Sequence, residues 1–434
     1  MKRQDPMNVA VIGLGYVGLP LALSYAMNGC KTVGVDVLPE KVQAINAGQS
    51  HMIEPYQGRT LQEILQDMLQ SGFFRATNDY RQAAEQADHY IVTVGLPVTE
   101  HGPDDRHLMA ACRSLGKVLK RGDTVLIRST VVPGMTEEQI LPLLAQESGL
   151  EPGVDFYLAY ASERIAEGRA FEEFRTIPVV LGAINDISYE KAERLIGRVT
   201  QAEIVRSEIR IIETSKVVEN LQRDVNIAMI HEVARLCQAA GMDTYELIRI
   251  ANTHPRVNLL KPGPGVGGYC LPYALYYLLP FAEKLDVPLP LFSLARQEND
   301  RVPLRIVERL RSVSTSLGKE FSQTKAAVFG LAMKDYSSDD RVSPSMVIVE
   351  RLLEHGVDVC AFDPEVPLHA GWQVTSAEQA VREADFLLLL TIQRPFELLD
   401  WNSLLGLMKQ DPVVLDTKHF LKGRISKPHH YLGV

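Results

Sequence analysis

Short apolar segments alternate with longer segments of helical character over the first half of the chain. The apolar segments are NVAVI (8–12), TVGVD (32–36), HYIVTV (89–94), DTVLIRS (123–129), FYLAYA (156–161) and IPVVLGA (177–183). Segments that are apolar throughout are typical of strands covered on both faces, and their alternation with helices is typical of parallel strands joined by crossover helices. The first half of the chain therefore predicts a doubly wound α/β domain with a parallel sheet.

A different pattern occupies the middle of the chain. From Ile209 to Ala240 apolar residues recur at helical spacing with almost no glycine or proline, which predicts one long helix with further helices after it. A second alternating region follows, with the apolar segments KAAVFGL (325–331), VDVCAFD (357–363), ADFLLLL (384–390) and PVVLDT (412–417). We therefore predict two Rossmann-like domains (1–205 and 306–434) on either side of a central helical and dimerisation domain (206–305).

Composition limits the kinds of partner that we expect the protein to bind and the compartment in which we expect to find it. The 54 acidic and 45 basic residues give a formal charge of −9, so we expect no binding to nucleic acid or to an anionic membrane. No apolar stretch is long enough to span a membrane, and the start of the chain does not resemble a secretory signal. The five cysteines are odd in number, scattered and without metal-ligand spacing, which predicts reduced thiols, no bound metal and a cytoplasmic location.

The glycine motif GLGYVG directly follows the first predicted strand and precedes a helical pattern. Its glycines let the backbone approach a pyrophosphate, and the start of the helix offers free N–H groups to that anion. Asp36 closes the second strand, where a carboxylate accepts ribose hydroxyls of NAD and repels the extra phosphate of NADP. The motif predicts NAD as cofactor, bound by Gly13, Gly15, Tyr16, Val17, Gly18 and Asp36. The alternative is a tight turn that binds no dinucleotide, which the agreement of strand, glycines, helix and acid disfavours.

A second glycine-rich segment, GPGVGGYC (263–270), ends in a cysteine. Because glycine permits left-handed or close-approach backbone, such a loop can fold around a ligand and present Cys270. The other four cysteines are predicted to be small buried side chains.

The second alternating region has only one glycine in its first turn, and Lys334 follows that turn. This pattern indicates a phosphate-bearing ligand other than a dinucleotide, held partly by the charge of Lys334. The alternative is that Lys334 is an ordinary surface lysine.

Several ordered motifs resemble the UDP-glucose/GDP-mannose dehydrogenase family nearly from end to end. Besides the two glycine motifs they are RSTVVPG (128–134), SERIAEG (162–168), KVVENLQRDVNIA (216–228), HPRVN (254–258) and MKDYSSDDRVSP (333–344). HPRVN running into GPGVGG is most similar to the branch that oxidises UDP-N-acetylhexosamines such as UDP-N-acetylmannosamine and UDP-N-acetylglucosamine. The Glu54-Pro55 pair and the DTK segment (416–418) favour the same branch more weakly.

The resemblance implies oxidation of a sugar C6 hydroxyl to a carboxylate in two hydride transfers that consume two NAD, in polysaccharide biosynthesis. Cys270 would form a thiohemiacetal and then a thioester. Lys216 would stabilise the alkoxide and oxyanion and favour the thiolate, while Asn220 would orient the reacting oxygen from the same helix face. Thr130 would position water and contact the cofactor, and Glu163 would be the base for thioester hydrolysis.

The resemblance also implies the substrate-binding residues and a homodimer or higher homo-oligomer. Arg256 would reach the substrate across a dimer interface, and Lys334 would contact the nucleotide or sugar, as expected of basic groups facing a pyrophosphate. Arg341 would lie near the cofactor from the second domain. The UDP-sugar would also be contacted by Glu163, Arg164, Lys216, Asn220 and Gly267.

Several positions depart from the family pattern. Ala274 stands where the family has an aspartate, Ser162 precedes Glu163 in place of a proline, GLP (95–97) follows Val94, and Asp335-Tyr336 replace Pro-Asn. A missing carboxylate near the thiol opens the alternative of a nucleotide-sugar-binding protein with weak catalysis. A two-electron dehydrogenase of the 3-hydroxyacid or 6-phosphogluconate type is a further alternative, which the cysteine loop and the second α/β region disfavour.

Overall fold

The computed structural model describes residues 7–50, 52, 54–99, 102–368, 370–426 and 430–433. Its backbone groups into two compact units. The first unit contains the residues up to 218 together with 276–287, and the second contains residues 219–275 and 288–434.

The first unit is built on an eight-stranded sheet with the order β10-β9-β8-β7-β4-β1-β2-β3. The strands of this unit, including a small hairpin formed by β5 and β6, are β1 (Asn8–Ile12), β2 (Lys31–Val35), β3 (Phe74–Thr77), β4 (His89–Val92), β5 (Val98–Thr99), β6 (Gly102–Pro103), β7 (Thr124–Ile127), β8 (Tyr157–Ala161), β9 (Val179–Ala183) and β10 (Ile204–Arg206). The helices between them are α1 (Gly18–Met27), α2 (Pro39–Asn46), α3 (Leu61–Gln70), α4 (Tyr80–Ala84), α5 (Arg106–Gly116), α6 (Leu141–Ser148), α7 (Ala170–Thr176) and α8 (Asp186–Ile196). The alternation of strand and helix confirms the predicted doubly wound fold.

One expectation for this sheet is wrong. The parallel pattern was predicted to continue through FYLAYA and IPVVLGA, but β8 and β9 pair antiparallel, with Ala159 opposite Ala183. The segment between them contains only α7, and the chain returns along β9 in the opposite direction. Strands β3 and β10 escaped prediction because each is short and carries an arginine, in the segments FRAT and IVR.

The core of the first unit forms where α1 packs on the sheet. Its sequence GLPLALSYAM is buried for nine of ten positions, from Gly18 to Ala26. Burial on nearly all sides explains why this helix is apolar throughout instead of amphipathic. By contrast α3 is amphipathic, and it begins at a capping box in which the Thr60 side chain accepts from the Glu63 amide and Glu63 accepts in return.

Three helices follow the first sheet: α9 (Ile209–Ala240), α10 (Thr244–Ala251) and α11 (Ala274–Lys284). The long helix α9 has the predicted bounds, and it ends before Gly241, whose φ of +67° ends helices without strain. Asp243 caps α10 by accepting from the amides of Tyr245 and Glu246.

The second unit contains a smaller, fully parallel sheet with the order β12-β11-β13-β14-β15. Its elements are α12 (Pro290–Ser316), β11 (Lys325–Phe329), α13 (Pro344–Glu354), β12 (Asp358–Phe362), α14 (Ala377–Val381), β13 (Phe386–Leu389), α15 (Trp401–Leu405), β14 (Val413–Asp416) and β15 (His430–Gly433). Strand β13 is buried at all four positions, as a central parallel strand requires. The second Rossmann-like sheet is therefore confirmed. None of the helices that the structure describes has the length and apolar character needed to cross a membrane.

Candidate active site

The GLGYVG turn lies where the strand order of the first sheet reverses, between β1 and β4. Gly13 has a φ of +93°, and its amide donates to the carbonyl of Val35 at 2.8 Å. A Cβ at Gly18 would overlap the carbonyl oxygen of Gly13, whereas a Cβ at Gly15 would meet no protein atom within 4 Å. Gly13 and Gly18 thus serve the turn itself, and Gly15 borders open space. Crevices at such a reversal, beyond the carboxyl ends of the strands, are the usual ligand sites of doubly wound sheets.

Asp36 lies at the end of β2, beside this turn, and is 8% exposed. Its Oδ2 accepts from the amide of Leu14 at 3.0 Å and from Nζ of Lys41 at 2.8 Å. The carboxylate is thereby tied to the glycine turn. With the open space at Gly15, this arrangement fits a dinucleotide whose ribose hydroxyls reach Asp36 and whose pyrophosphate lies over the start of α1.

Thr93 is a residue of this turn that the sequence motifs did not indicate. Its hydroxyl donates to the carbonyls of Ile12 at 3.0 Å and Gly13 at 2.8 Å, which bridges the carboxyl ends of β4 and β1. The bridge holds the two edges of the crevice at a fixed separation. Its only sequence signal is its place near the end of the predicted strand segment 89–94.

The carboxylate of Glu163 is held at three points within the first unit. Its Oε2 lies 2.7 Å from Nη2 of Arg128, and its Oε1 accepts from the amides of Arg164 at 2.8 Å and Ile165 at 3.1 Å. Arg128 is 6% exposed, so the ion pair is largely shielded from water. Arg128 is the first residue of the RSTVVPG motif, but nothing in the sequence indicated its pairing with a residue 35 positions away.

The SERIAEG segment is fixed further by Glu54, which is 2% exposed. The Glu54 carboxylate accepts from the amides of Gly168 at 2.6 Å and Ala170 at 3.0 Å. The second of these amides belongs to the first turn of α7, where a carboxylate is favoured. The Glu54-Pro55 pair that the sequence singled out thus orders the loop that carries Glu163.

Glu213 connects the RSTVVPG loop to helix α9. This fully buried residue accepts from the amides of Gly134 at 2.5 Å and Thr136 at 3.0 Å, at the end of RSTVVPG. Burial raises the pKa of the Glu213 carboxyl. Because Lys216 follows Glu213 by one helical turn, the same contact fixes the helix that carries Lys216 relative to the loop that carries Thr130.

Cys270, which lies in the second unit, is exposed. Of the other cysteines, Cys30, Cys112 and Cys237 are buried and Cys360 is half-buried. The side-chain amide of Asn220 donates to the backbone carbonyl of Cys270 at 3.3 Å. The amide of Gly263, at the other end of the loop, donates to Nε2 of His231 at 3.2 Å. Two side chains of α9 therefore hold the cysteine loop, and the sequence had indicated only Asn220.

The glycines of this loop permit close packing on the second sheet's first crossover. Gly265 has a φ of +139° and Gly268 a φ of +80°. A Cβ at Gly267 would lie 2.7 Å from Cδ of Pro344 and 2.8 Å from the carbonyl oxygen of Val342. Larger side chains would push the loop away from this surface, so the glycine content follows from packing as well as from ligand approach.

The second sheet has its own order reversal, between β11 and β13. Gly330 follows β11 with a φ of +87°, and a Cβ there would overlap the backbone of Thr391. Lys334 is exposed in the loop beyond this turn. The neighbouring Asp335 accepts from the Ile392 amide at 2.9 Å and lies 3.0 Å from Nζ of Lys418. The segments MKDYSSDD and DTK are therefore joined by an ion pair beside the reversal.

The remaining predicted residues are placed as follows. Arg341 is exposed and forms a two-point contact with Asp339, at 2.8 Å and 2.6 Å. Arg256 is exposed after α10. Within the first unit, Asp36 contacts the glycine turn, Arg128 and two amides hold Glu163, and Glu213 connects the helix that carries Lys216 to the RSTVVPG loop. Within the second unit, Asn220 contacts the backbone of Cys270, and Gly267 lies in the same loop as Cys270. Among the described residues, no group of three or more His, Cys, Asp or Glu side chains is placed to hold a metal ion.

Three family models match successive parts of the chain. They describe the UDP-glucose/GDP-mannose dehydrogenase family: its NAD-binding domain (7–200), its central domain (210–301) and its UDP-binding domain (327–423). The fit of the glycine turn and Asp36 to a dinucleotide agrees with the first of these matches.

Relatives and solved structures of high coverage agree. The chain is 35% identical over 416 residues to UDP-N-acetyl-D-mannosamine dehydrogenase of Pyrococcus horikoshii, covering 96% of each chain. It is 32% identical to NDP-N-acetyl-D-galactosaminuronic acid dehydrogenase of Ralstonia nicotianae, covering 95% of this chain and 96% of that one. The solved P. horikoshii UDP-D-ManNAc dehydrogenase superposes with a TM-score of 0.89 at 33% identity, covering 99% of both chains. A UDP-glucose dehydrogenase of Pyrobaculum islandicum gives 0.85 at 26% identity, covering 100% of this chain and 98% of that one. This chain belongs to the UDP-glucose/GDP-mannose dehydrogenase family and is an NAD-dependent oxidoreductase.

Proposed function

We propose that this protein oxidises the C6 hydroxyl of a UDP-N-acetylhexosamine to the uronate in two two-electron steps, with Cys270 as covalent nucleophile. The main support for this proposal is that Cys270 is exposed at the end of a glycine-rich loop, whereas three of the other four cysteines are buried. An exposed thiol on a tethered loop is placed for chemistry, whereas a buried one behaves as a small apolar side chain. NAD, when bound, accepts the hydride in each oxidation.

The thiol gives one site the means to carry out both oxidations. In the first, the C6 alcohol loses a hydride and a proton and becomes an aldehyde. The Cys270 thiolate then adds to the aldehyde carbon, and the resulting thiohemiacetal loses a second hydride and a proton to give a thioester. Water adds to the thioester carbonyl, the C–S bond breaks, and the carboxylate leaves as the thiol is restored.

Lys216 and Asn220 have the chemistry to stabilise the charged species in this sequence. They lie four residues apart in α9, so both project from one face of that helix. An ammonium group and a side-chain amide both stabilise developing negative charge on the alkoxide of the first step and the oxyanion of the later ones. We propose these roles for the two residues, with Asn220 also holding the backbone of Cys270.

Glu163 is the proposed base for hydrolysis of the thioester, and Thr130 the proposed ligand of the attacking water. Because Arg128 and two backbone amides already contact the Glu163 carboxylate, its orientation is defined before substrate binds. A fixed carboxylate positions a water molecule well for attack on the thioester. Arg128 is thus proposed as a positioning residue for Glu163.

The proposed substrate class rests on the relatives and on the basic residues of the second unit. Two of the relatives named above act, by their names, on UDP-N-acetyl-D-mannosamine and on an N-acetyl-D-galactosaminuronic acid nucleotide. Lys334 and Arg256 are exposed and suited to a pyrophosphate or to the uronate product, and Arg164 and Gly267 complete the proposed contacts. Arg341 is proposed to contact the cofactor. UDP-glucose is the substitute substrate that the P. islandicum structure suggests.

We also propose a homodimer formed through the central helical domain. Large apolar side chains are exposed on helices of the second unit, including Met229, Leu236, Ile250, Leu291 and Leu294. Exposed apolar surface of this kind is typical of subunit interfaces. The domain division that we propose, 1–205, 206–305 and 306–434, follows the three family matches, and the five free thiols support a cytoplasmic setting.

A second candidate function is nucleotide-sugar binding with weak catalysis, which Ala274 favours because it brings no carboxylate to the start of α11. NADH formation from purified UDP-N-acetylmannosamine, UDP-N-acetylglucosamine and UDP-glucose separates the candidates. Two NADH per sugar support the proposed reaction, and one NADH per sugar indicates a two-electron dehydrogenase. Binding of a UDP-sugar without NADH formation indicates the weakened homologue.

A further inference from the structure

A cavity of about 350 Å³ lies in the second unit between α9 and α12. Its walls come from one face of each helix, at spacings of three, four and seven residues: His231, Ala234, Arg235 and Gln238 from α9, and Val302, Arg305, Ile306 and Arg309 from α12. The volume falls in the range of small-molecule sites. None of these residues has a role as a reacting group or substrate contact in the proposed oxidation.

The cavity is basic. Arg235 and Arg305 both contact the carboxylate of Glu298, at 3.1 Å and 2.7 Å, and Arg235 also contacts Glu232 at 3.4 Å, but none of the described residues that line the cavity is acidic. Within the described part of the chain Arg309 has no carboxylate partner, and its Nη1 donates to the carbonyl of Gly433 at 2.6 Å. Burial lowers the pKa of Arg309, as expected for a guanidinium that has lost water without gaining an anion. Positive charge is therefore in excess here although the whole protein is acidic.

A buried donor group in these walls lacks an acceptor among the described residues. Nη1 of Arg305 is buried and has no hydrogen-bond partner among the described residues. His231 is 3% exposed, and because its Nε2 accepts from Gly263, a neutral ring carries its proton on Nδ1. The side chain of Asn299 lies beside this ring and favours its protonated form, so the unpaired donor that supports a ligand here is Nη1 of Arg305. An unpaired buried donor is unfavourable, and such groups are usually paired with a bound ligand or water.

We propose that this cavity binds a small phosphate-bearing metabolite, with Arg305 and Arg309 contacting the phosphate. Two guanidinium groups one helical turn apart suit the charge and the several acceptor oxygens of a phosphate. Ala234, Val302 and Ile306 form an apolar wall against which the remainder of the ligand packs. The site is separate from the residues proposed to react, and its existence does not depend on the proposed oxidation.

Isothermal titration with inorganic pyrophosphate and with uridine monophosphate tests the site. The comparison is between the wild-type protein, the double variant Arg305→Gln/Arg309→Gln, and Arg311→Gln, which removes an exposed arginine of the same helix. We expect the double variant to lose one binding site per chain, or to bind at that site at least about 10-fold more weakly. Arg311→Gln is expected to bind as the wild type does.

Equal stoichiometry and affinity in the wild type and the double variant would overturn the proposal. Because Arg309 also contacts the carbonyl of Gly433, the single variant Arg305→Gln serves if the double variant is unstable, and it is expected to weaken the same site. Nucleotide-sugar oxidation provides a separate readout, and kcat and KM for the sugar are expected to stay unchanged in Arg305→Gln. Loss of the proposed oxidation in the wild type would therefore leave the titration result standing.

Discussion

The side-chain amide of Asn220 donates to the backbone carbonyl of Cys270 at 3.3 Å, which ties the cysteine loop to helix α9. The loop is also held at its other end, where His231 accepts from the amide of Gly263. Between these two points the glycines allow close packing against Val342 and Pro344. The thiol is thus carried by a glycine-rich loop that is tethered at both ends, which suits the proposed role of a nucleophile that meets a substrate carbon at a defined distance.

Removal of the Asn220 amide is expected to slow catalysis without unfolding the protein. Asn220→Ala removes the hydrogen bond to Cys270 and the proposed contact to the reacting oxygen, so kcat should fall roughly 10-fold, about 1.4 kcal/mol. Steady-state NADH formation measures the change. Gln222→Ala, an exposed position of the same helix, is the control and should react as the wild type does. Equal kcat in the two variants would exclude a role for the amide.

Replacement of Glu163 by glutamine is expected to stop the reaction at the thioester. The amide keeps an acceptor for the backbone but cannot take a proton from water, so hydrolysis should slow by about 100-fold or more. Rapid mixing should show a burst of NADH followed by slow turnover, and mass spectrometry should find the sugar acyl group on Cys270. Glu172→Gln, an exposed carboxylate of α7, is the control. A steady-state rate equal to that of the control would remove Glu163 from the hydrolytic step.

The two glycines at the start of α1 are expected to differ in their response to alanine. Gly18→Ala places a Cβ against the carbonyl of Gly13, so it should destabilise the protein by a few kcal/mol, about the cost of an overpacked core. Gly15→Ala meets no protein atom and should leave the thermal midpoint unchanged, yet raise the Kd for NAD at least about 10-fold by blocking close approach of the pyrophosphate. Thermal unfolding and NAD titration provide the two readouts. Unchanged NAD affinity in Gly15→Ala would place the pyrophosphate elsewhere.

The features of the fold that are encoded locally could be predicted from the sequence. The bounds of α9 follow from an unbroken helical pattern up to Gly241, and the glycine turn follows from a strand, three glycines and an acid in fixed order. The antiparallel pairing of β8 with β9 could not be predicted, because strand direction depends on where the intervening chain crosses the sheet and not on the composition of either strand.

The candidate site shows the same difference between features that are encoded locally and contacts that form only in the folded chain. Cys270, Asn220 and Arg128 all lie in motifs, but the sequence did not indicate that Arg128 contacts Glu163 from 35 residues away or that His231 contacts Gly263 from 32 residues away. A buried ion pair or a tethered loop forms only in the folded chain. An arginine or a histidine in the sequence does not by itself indicate whether the side chain makes such a contact or lies on the surface. The proposed reacting groups could therefore be recognised from motifs, whereas these long-range contacts could not.

His231 is expected to make stability depend on pH in mildly acidic solution. Burial lowers its pKa from 6.5 to about 4, so between these values the unfolded chain binds a proton that the folded protein does not. The contribution of the neutral His231 side chain to the free energy of unfolding is therefore fully present above pH 6.5, and it is lost as the pH falls towards 4. The free energy of unfolding should drop by about 2 kcal/mol between pH 7 and pH 5 relative to His231→Asn, which keeps an acceptor for Gly263 but does not titrate. Denaturant unfolding at both pH values measures the difference, and identical pH dependence in the two proteins would contradict it.

The covalent role of Cys270 is tested most directly by product analysis of Cys270→Ala with a UDP-N-acetylhexosamine and excess NAD. We expect two NADH per uronate in the wild type and no uronate in the variant, whose thermal midpoint should be unchanged because the side chain is exposed. Formation of uronate by Cys270→Ala at a rate near that of the wild type would contradict the central claim.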